Sequence, residues 1–551
     1  MKKRTLVSCL LLALVMTLSC VLAIGAWASG TVTMTDFIAG ESADGKVVTI
    51  ATAEELYMLR DYTAAGNPTE DMTFKLVASF DLPEVVAKDG DDSLSNLTNP
   101  SNSPDIGTAE HPFMGSFDGN GETIGNLWIS KWSAKDGSDA TETARGIFAY
   151  TEDAFILDLS VEVTTVRNAK KDVGAIVGNA KNTIILGCAV DGDLAIKGVA
   201  GRVAENLGGI VGFMDGGCIE ACTVNADLSG KRNVGGVAGL ATGGAQIVTV
   251  IVAGNVGIEG QKTVDGAANF GGVVGCLDNA SVINVISYAN VYAKTEKDAS
   301  VAGGIVGAIK GEGAVIANVA TLGTVTATAG DIRVAAGAIA GNAEGGTITS
   351  AFALNSNKFV GIGAVVPTAT ATFDAELAIT EATADVKAKT LVGALNAWIV
   401  ADGDAYFYWQ ILEDGTFGQI EEEHEHSRGE VAACQDSACP VCQIPMEATA
   451  EHVRPEAPAC KEGVTCSVCE IYVFEPTAEH DVPADAPACK EDLHCTACDK
   501  HIEPTKAHRV LSQADCLNDA KCADCSLLRS PYRAQSGKRK SLRITRKEFF
   551  Q

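Results

Sequence analysis

The sequence predicts a mainly β protein: a parallel β-helix with short helical caps, followed by small zinc-ribbon-like modules rich in cysteine and histidine. Three observations predict it. A glycine-containing apolar phrase recurs along the 551 residues, a second aliphatic phrase follows each copy, and twelve C-terminal cysteines fall into four triplets. Repeats of a few tens of residues bury a core by stacking on their neighbours, because no single copy can cover its own apolar face.

The first phrase reads VGAIVG ending at Gly178, LGGIVG at Gly212, VGGVAG at Gly239, FGGVVG at Gly275, AGGIVG at Gly307 and AGAIAG at Gly341. A degenerate copy, GIFAY from Gly146 to Tyr150, precedes them with Ala149 in place of the last glycine. The second phrase is a polar turn, an aliphatic residue, and a small or apolar residue three positions on. Its pairs are Ile156/Leu159, Ile185/Cys188, Ile219/Cys222, Ile247/Val250, Val282/Val285, Ile316/Val319 and Ile348/Ala351. Each phrase is short and rich in Val and Ile, which favours strands, and no interval has room for a helix between strands. Seven coils of short stacked strands follow. The glycines are expected where the chain turns sharply or where coils close up. Cys188 and Cys222 hold matching positions and are expected, with Cys218 and Cys276, as small buried residues.

On these two phrases, residues 47–420 resemble the GLUG-motif repeat family of secreted and surface proteins of bacteria. Pro112 to Ile124 resembles that family's first strand and turn. Ala149 and Ala338 depart from its glycines. The resemblance implies a β-helix at the cell surface.

Flanking segments are expected to close the ends. Thr52-Ala53-Glu54-Glu55 is a capping box before Leu56, Met58 and Leu59, so a short helix is predicted there. Leu391, Leu395 and Trp398 fall at helical spacing, and Tyr406, Phe407, Tyr408 and Trp409 follow. They read as the core of a C-terminal cap, with a carbohydrate-stacking platform as the alternative. The domain boundaries are 1–28 signal peptide, 29–134 N-terminal cap and first strands, 135–360 β-helix repeats, 361–420 C-terminal cap, 421–525 four Cys/His-rich repeats and 526–551 basic tail.

Residues 1–28 read as an export signal. Lys2, Lys3 and Arg4 precede an apolar run from Leu6 to Ile24, and Ala26-Trp27-Ala28 offers a cleavage pattern. For so long a run an uncleaved anchor is the alternative. A net charge of −28 argues against nucleic acid as a partner. The expected location is secreted or at the cell surface, and the expected partner a surface ligand, either host protein or polysaccharide, with membrane contact confined to the signal or an anchor.

The cysteine triplets are Cys434/Cys439/Cys442, Cys460/Cys466/Cys469, Cys489/Cys495/Cys498 and Cys516/Cys522/Cys525. Each contains CxxC, the usual half-site of a structural zinc centre. A histidine precedes each triplet: His426, His452, His480 and His508. Three cysteines cannot pair off inside one unit, and one histidine completes Cys₃His. Units of this size bury too little apolar surface to fold without a metal or a crosslink. Each triplet with its preceding histidine is therefore the expected ligand set for structural zinc. Disulfides across repeats are the alternative in an exported chain.

No HExxH, GxSxG, Walker or dinucleotide pattern stands in a fitting context, and the acidic residues Asp118, Asp191, Asp215 and Asp278 read as scattered turn residues. The chain is accordingly expected not to be an enzyme, but an exported protein for adhesion, binding or spacing. A carbohydrate-active β-helix enzyme and a zinc-capturing surface protein are the alternatives. From Ser526 to Gln551 eight Lys/Arg stand against one Glu. That segment reads either as a basic tail for anionic polymers or lipid, or as sequence translated out of frame.

Overall fold

A computed structural model of the chain describes residues 30–43, 45–85, 101–130, 144–167, 171–195, 205–257, 268–295, 300–329, 334–353, 362–365, 372–376, 384–401, 406–420, 427–481, 493–502, 510–512, 520–522 and 528–529. The expected signal peptide and basic tail lie outside the described residues, apart from Leu528–Arg529. The chain divides into two compact units, Met1–His426 with Pro440–Ile444, and Ser427–Cys439 with Pro445–Gln551.

The first unit is a succession of short strands wound into three parallel sheets. One coil shows the pattern. Asp172–Gly174 lies in a six-stranded sheet, Val177–Lys181 in an eight-stranded one, and Ile184–Leu186 with Ala189–Ala195 in the longest sheet. Each strand pairs in parallel with its counterpart one coil away, as in Val177↔Val211 and Ile185↔Ile219. Inward residues stack into columns. The column Ile156, Ile185, Ile219, Ile247, Val282, Ile316 and Ile348 is fully buried.

Two left-handed residues per coil turn the chain at its corners. Within the second phrase the third position has positive φ in every copy: Asp158, Gly187, Ala221, Thr249, Asn284, Asn318 and Ser350. The preceding polar turn does the same at Asp153, Asn182, Gly216, Gly243, Asn279 and Gly311. Asn, Asp and Gly tolerate this region, whereas Ala and β-branched residues are strained there. The last glycine of the first phrase has a different cause. A Cβ on Gly212 would stand 2.3 Å from the backbone nitrogen of Val173, and one on Gly239 2.5 Å from that of Leu207. These glycines let coils touch; they do not supply a turn.

Polar ladders run beside the aliphatic ones. Asn206 donates to Asp172, Asn233 to Asn206 and Asn269 to Asn233, at 2.7, 2.7 and 2.9 Å. Each half-buried amide both donates and accepts, so stacking satisfies groups that would otherwise be costly to bury. Burial raises the Asp172 carboxyl above the usual range, although Asn206 and Asn179 hydrogen bonds oppose the shift. Cys188 and Cys222 take part in an inward column as expected, 1% and 0% exposed, with the Cys188 N–H reaching the Cys222 sulfur at 3.3 Å.

The coils extend past the expected limits of 135 and 360. Before them, Val47–Ile50, Thr73–Leu76 and Ser116–Asp118 already build the longest sheet, and the last joins Phe155–Leu157. After them, Ile362–Val365 and Thr372–Glu376 add an eighth rung of one sheet and a further strand of another. The early rungs do without the glycine phrase and bury Ile50, Phe74, Leu76 and Phe117 instead. Phe74, Phe113, Phe148 and Phe117 fill the early coils, with centroids 5.0–5.8 Å apart. Helix Ala53–Ala64 begins at Thr52, whose Oγ accepts the Glu55 N–H; Glu55 in return takes the N–H of Ala51.

The expected C-terminal cap lies along the side of the coils. Helix Ala384–Ala401 and the hairpin Trp409–Ile411/Phe417–Gln419 cover an outward apolar strip of Cys218, Val248, Ile283, Ala317 and Phe352. Corner residues pin it: Asn318 donates to Leu395 O at 3.1 Å, and Trp409 Nε1 to Asn284 Oδ1 at 2.7 Å. Trp409 is 0% exposed and Tyr406 9%, so this pair offers no carbohydrate-stacking platform.

Gly212→Ala should cost about 1–3 kcal/mol by forcing adjacent coils apart, whereas Ala221→Gly should add about 0.5–1 kcal/mol by relieving a left-handed alanine. Urea unfolding of the full chain checks both, and the opposite signs separate packing from turn geometry.

Candidate metal centres

In the second unit the CxxC pairs Cys466/Cys469 and Cys495/Cys498 each sit on a small hairpin. Val464–Thr465 pairs with Val473–Phe474, and Leu493–His494 with His501–Ile502, both antiparallel. The tip folds back on itself. The Cys466 N–H reaches Tyr472 O at 2.8 Å and the Glu470 N–H reaches Cys466 O at 2.9 Å. The next repeat does the same with Cys495 to Lys500 and Asp499 to Cys495, at 2.9 and 3.0 Å. The residue after each described CxxC is left-handed: Gln443, Glu470 and Asp499 have φ of 58°, 59° and 62°. This reversal brings both sulfurs of the pair to one side.

Two four-donor groups result. Cys434, His452, Cys466 and Cys469 form one, and Cys460, His480, Cys495 and Cys498 the other; within each group all donor atoms lie within 4.8 Å of one another. In the first, Cys434 Sγ is 3.7 Å from Cys466 Sγ, and Cys469 Sγ is 3.5 Å from His452 Nδ1. In the second, the corresponding distances are 3.5 Å for Cys460 and Cys495, and 3.3 Å for Cys498 and His480 Nδ1. Three sulfurs and an imidazole nitrogen at this spacing can hold a tetrahedral ion.

The grouping corrects the expected ligand sets. The histidine does serve the CxxC that follows it, but the third sulfur comes from the preceding triplet, Cys434 for Cys466/Cys469 and Cys460 for Cys495/Cys498. The physical reason is the hairpin arm. Between Cys460 and Cys466 the chain runs through Val464–Thr465, and extended chain advances about 3.3 Å per residue. Cys460 is thereby carried away from its own CxxC and meets the next one.

Electrostatics prepare one thiolate per group. Burial opposes ionisation of Cys466, but the N–H groups of Cys469 and Val468, the His452 ring and the Val453 N–H favour it, and its thiol comes down to about 6. Cys495 also reaches about 6 against burial, through Ala497, Cys498, His480 and Cys460. Burial first, and then contact with the neighbouring sulfurs, pushes Cys434 and Cys460 up to about 11. The histidines are held differently. His452 stacks on Tyr472 at 4.0 Å, whereas His480 Nε2 stands 3.8 Å from Glu462 Oε1.

The other expected ligands are not in these groups. Cys439 and Cys442 are buried and join neither. His426, Cys489, His508, Cys516 and Cys525 lie outside the described residues, as does the side chain of Cys522.

On the solenoid the carboxylates are more ordered than expected. Asp191 lies on strand Ala189–Ala195, and Asp118, Asp215 and Asp278 end strands. Asp191 aligns with Glu162 on one side and Asn225 on the other, and Asp193 aligns with Asp227. Residues two apart share a strand face, so Glu162, Asp191, Asp193 and Asp227 stand together on one outward face. This stacking was invisible because the residues are 29–34 positions apart from coil to coil.

No protein-family model matches the chain. No curated protein matches it either. Two of the solved structures similar to it follow. One is a Bacteroides ovatus protein named, by inference, an immunoglobulin A1 protease: 17% identity over 69% of this chain and 94% of that one, TM-score 0.37. The other is named IgA1 Protease: 18% identity over 59% of this chain and 21% of that one, TM-score 0.28. The chain thus spans about a fifth of the second protein's length. The names stand against the expectation that this chain is not an enzyme, and that expectation is withdrawn. At these scores the likeness carries no activity to it.

The shared grouping makes a sharp prediction for paired variants. Cys434→Ser with Cys466→Ser should lose one metal equivalent, since both serve one centre, whereas Cys460→Ser with Cys466→Ser should lose two. Metal analysis of the purified chain reads the difference; the reverse pattern would restore the within-triplet sets.

Proposed function

We propose that the chain is an exported bacterial surface protein whose solenoid is a rigid body for adhesion, binding or spacing, and whose C-terminal repeats form a stalk held by structural zinc. The observation that supports it is the pair of four-donor groups, each built from two successive repeats. A metal at such a position would crosslink repeats as well as fold them. Thiolate-rich donor sets with one imidazole favour zinc over harder cations. The solenoid supports the mechanical part of the reading. Its continuous backbone ladders resist bending, and the outward faces of its coils offer a long surface for a host protein or polysaccharide. The same sulfur pairs, 3.5 and 3.7 Å apart, would also suit disulfides across repeats.

Metal content and thiol counting on the full chain separate the two. Zinc bound in the repeats, with thiols reacting only after chelation, is the expected result. Thiols freed by reductant alone, with no metal, would leave a disulfide-stapled stalk and end the zinc reading.

A second reading, a carbohydrate-active β-helix, is favoured by one observation, the stacked carboxylates Glu162, Asp191, Asp193 and Asp227. Paired carboxylates are the usual equipment for cleaving glycosidic bonds. If it holds, the chain releases new chain ends from a polysaccharide panel, and Asp191→Asn with Asp193→Asn abolishes release while melting is unchanged. Release that survives in this double variant would sink it.

A further inference from the structure

The first centre opens onto a cleft of about 620 Å³, lined by three of its four donors, Cys434, His452 and Cys469, together with Asp436, Glu451 and Tyr472. Asp436 and Glu451 are exposed, and Asp436 steadies the wall by accepting the Ala448 N–H at 3.0 Å. The fourth donor, Cys466, is 1% exposed. The second centre has a different surround. His480 turns Nδ1 toward Cys498 at 3.3 Å, which leaves Nε2 for the Glu462 carboxylate at 3.8 Å; Lys500 binds that same carboxylate at 2.5 Å.

We propose that the cleft is the port by which a thiophilic divalent cation enters and leaves the first centre, and that this centre exchanges its metal faster than the second. The proposal rests on the metal reading above. A tetrahedral ion leaves a four-donor site when an incoming ligand displaces one donor, and the cleft admits such a ligand beside His452 and Cys469. Carboxylates at the mouth raise the local cation concentration and speed encounter. At the second centre the Glu462 carboxylate stands 3.8 Å from the far nitrogen, beyond hydrogen-bond reach, and favours the imidazole as a donor through its charge alone.

The test uses the full chain loaded with Zn²⁺ and mixed with excess chromogenic chelator. Cys434→Ser should delete the faster release phase and Cys460→Ser the slower one, the two being resolved as separate phases. Two gentler variants keep the fold intact. Glu451→Gln should slow uptake several-fold at low salt and not at high salt, with unchanged stoichiometry, and Glu462→Gln should speed the slower phase. The proposal is overturned if Cys434→Ser removes the slower phase, if the two phases coincide, or if Glu451→Gln leaves uptake unchanged. A chain that binds no zinc at all would bring down the metal reading itself, a distinct outcome.

Discussion

The parallel backbone ladder between coils leaves no room for a β-carbon at Gly212, 2.3 Å from the Val173 nitrogen, and that closeness governs the first unit. Once coils must touch at one column, every other column is fixed in register. Ile185 must stack on Ile219, Asn206 on Asn233, and Asp191 on Asn225. Hydrophobic burial then supplies the driving force, and the asparagine ladders supply satisfied polar groups where the coil edge is half-buried. Side chains repeated in sequence become continuous stripes in space, apolar inside and chemically varied outside.

The second unit solves a different problem. Its repeats are too small to bury a core, so sulfur and imidazole donors take the place of stacked aliphatics. The donors come from two successive repeats, which makes each centre a joint between them. The solenoid pairs neighbouring coils through backbone; the second unit brings neighbouring repeats together by grouping one cysteine with the donors of the next repeat.

The differing surrounds of the two centres matter more than their identical donors. Tyr472 against His452 gives an apolar wall beside a cleft, and Glu462 against His480 gives a charged partner to the ring. The same set of donor types therefore sits in two different environments. Function on the solenoid is likewise a matter of its outer stripes, since architecture alone assigns none.

By itself the sequence determined the repeat, the strand content and the inward columns, and it named the eight donor residues that the structure gathers in two groups. Spacing at a constant phase survives any detail of packing, and Cys, His, Gly and Ile each point to a narrow chemistry. Helix Ala53–Ala64 was legible because its cap is local, four residues at Thr52 to Glu55. Tertiary structure decided what depended on pairing at a distance. It placed Cys460 with Cys495 instead of Cys466, because an intervening strand separates residues close in sequence. It turned Trp409 onto the side of the coils, because an apolar strip lay exposed there. It aligned Asp191 with Glu162, because coil length and not local composition sets which residues meet.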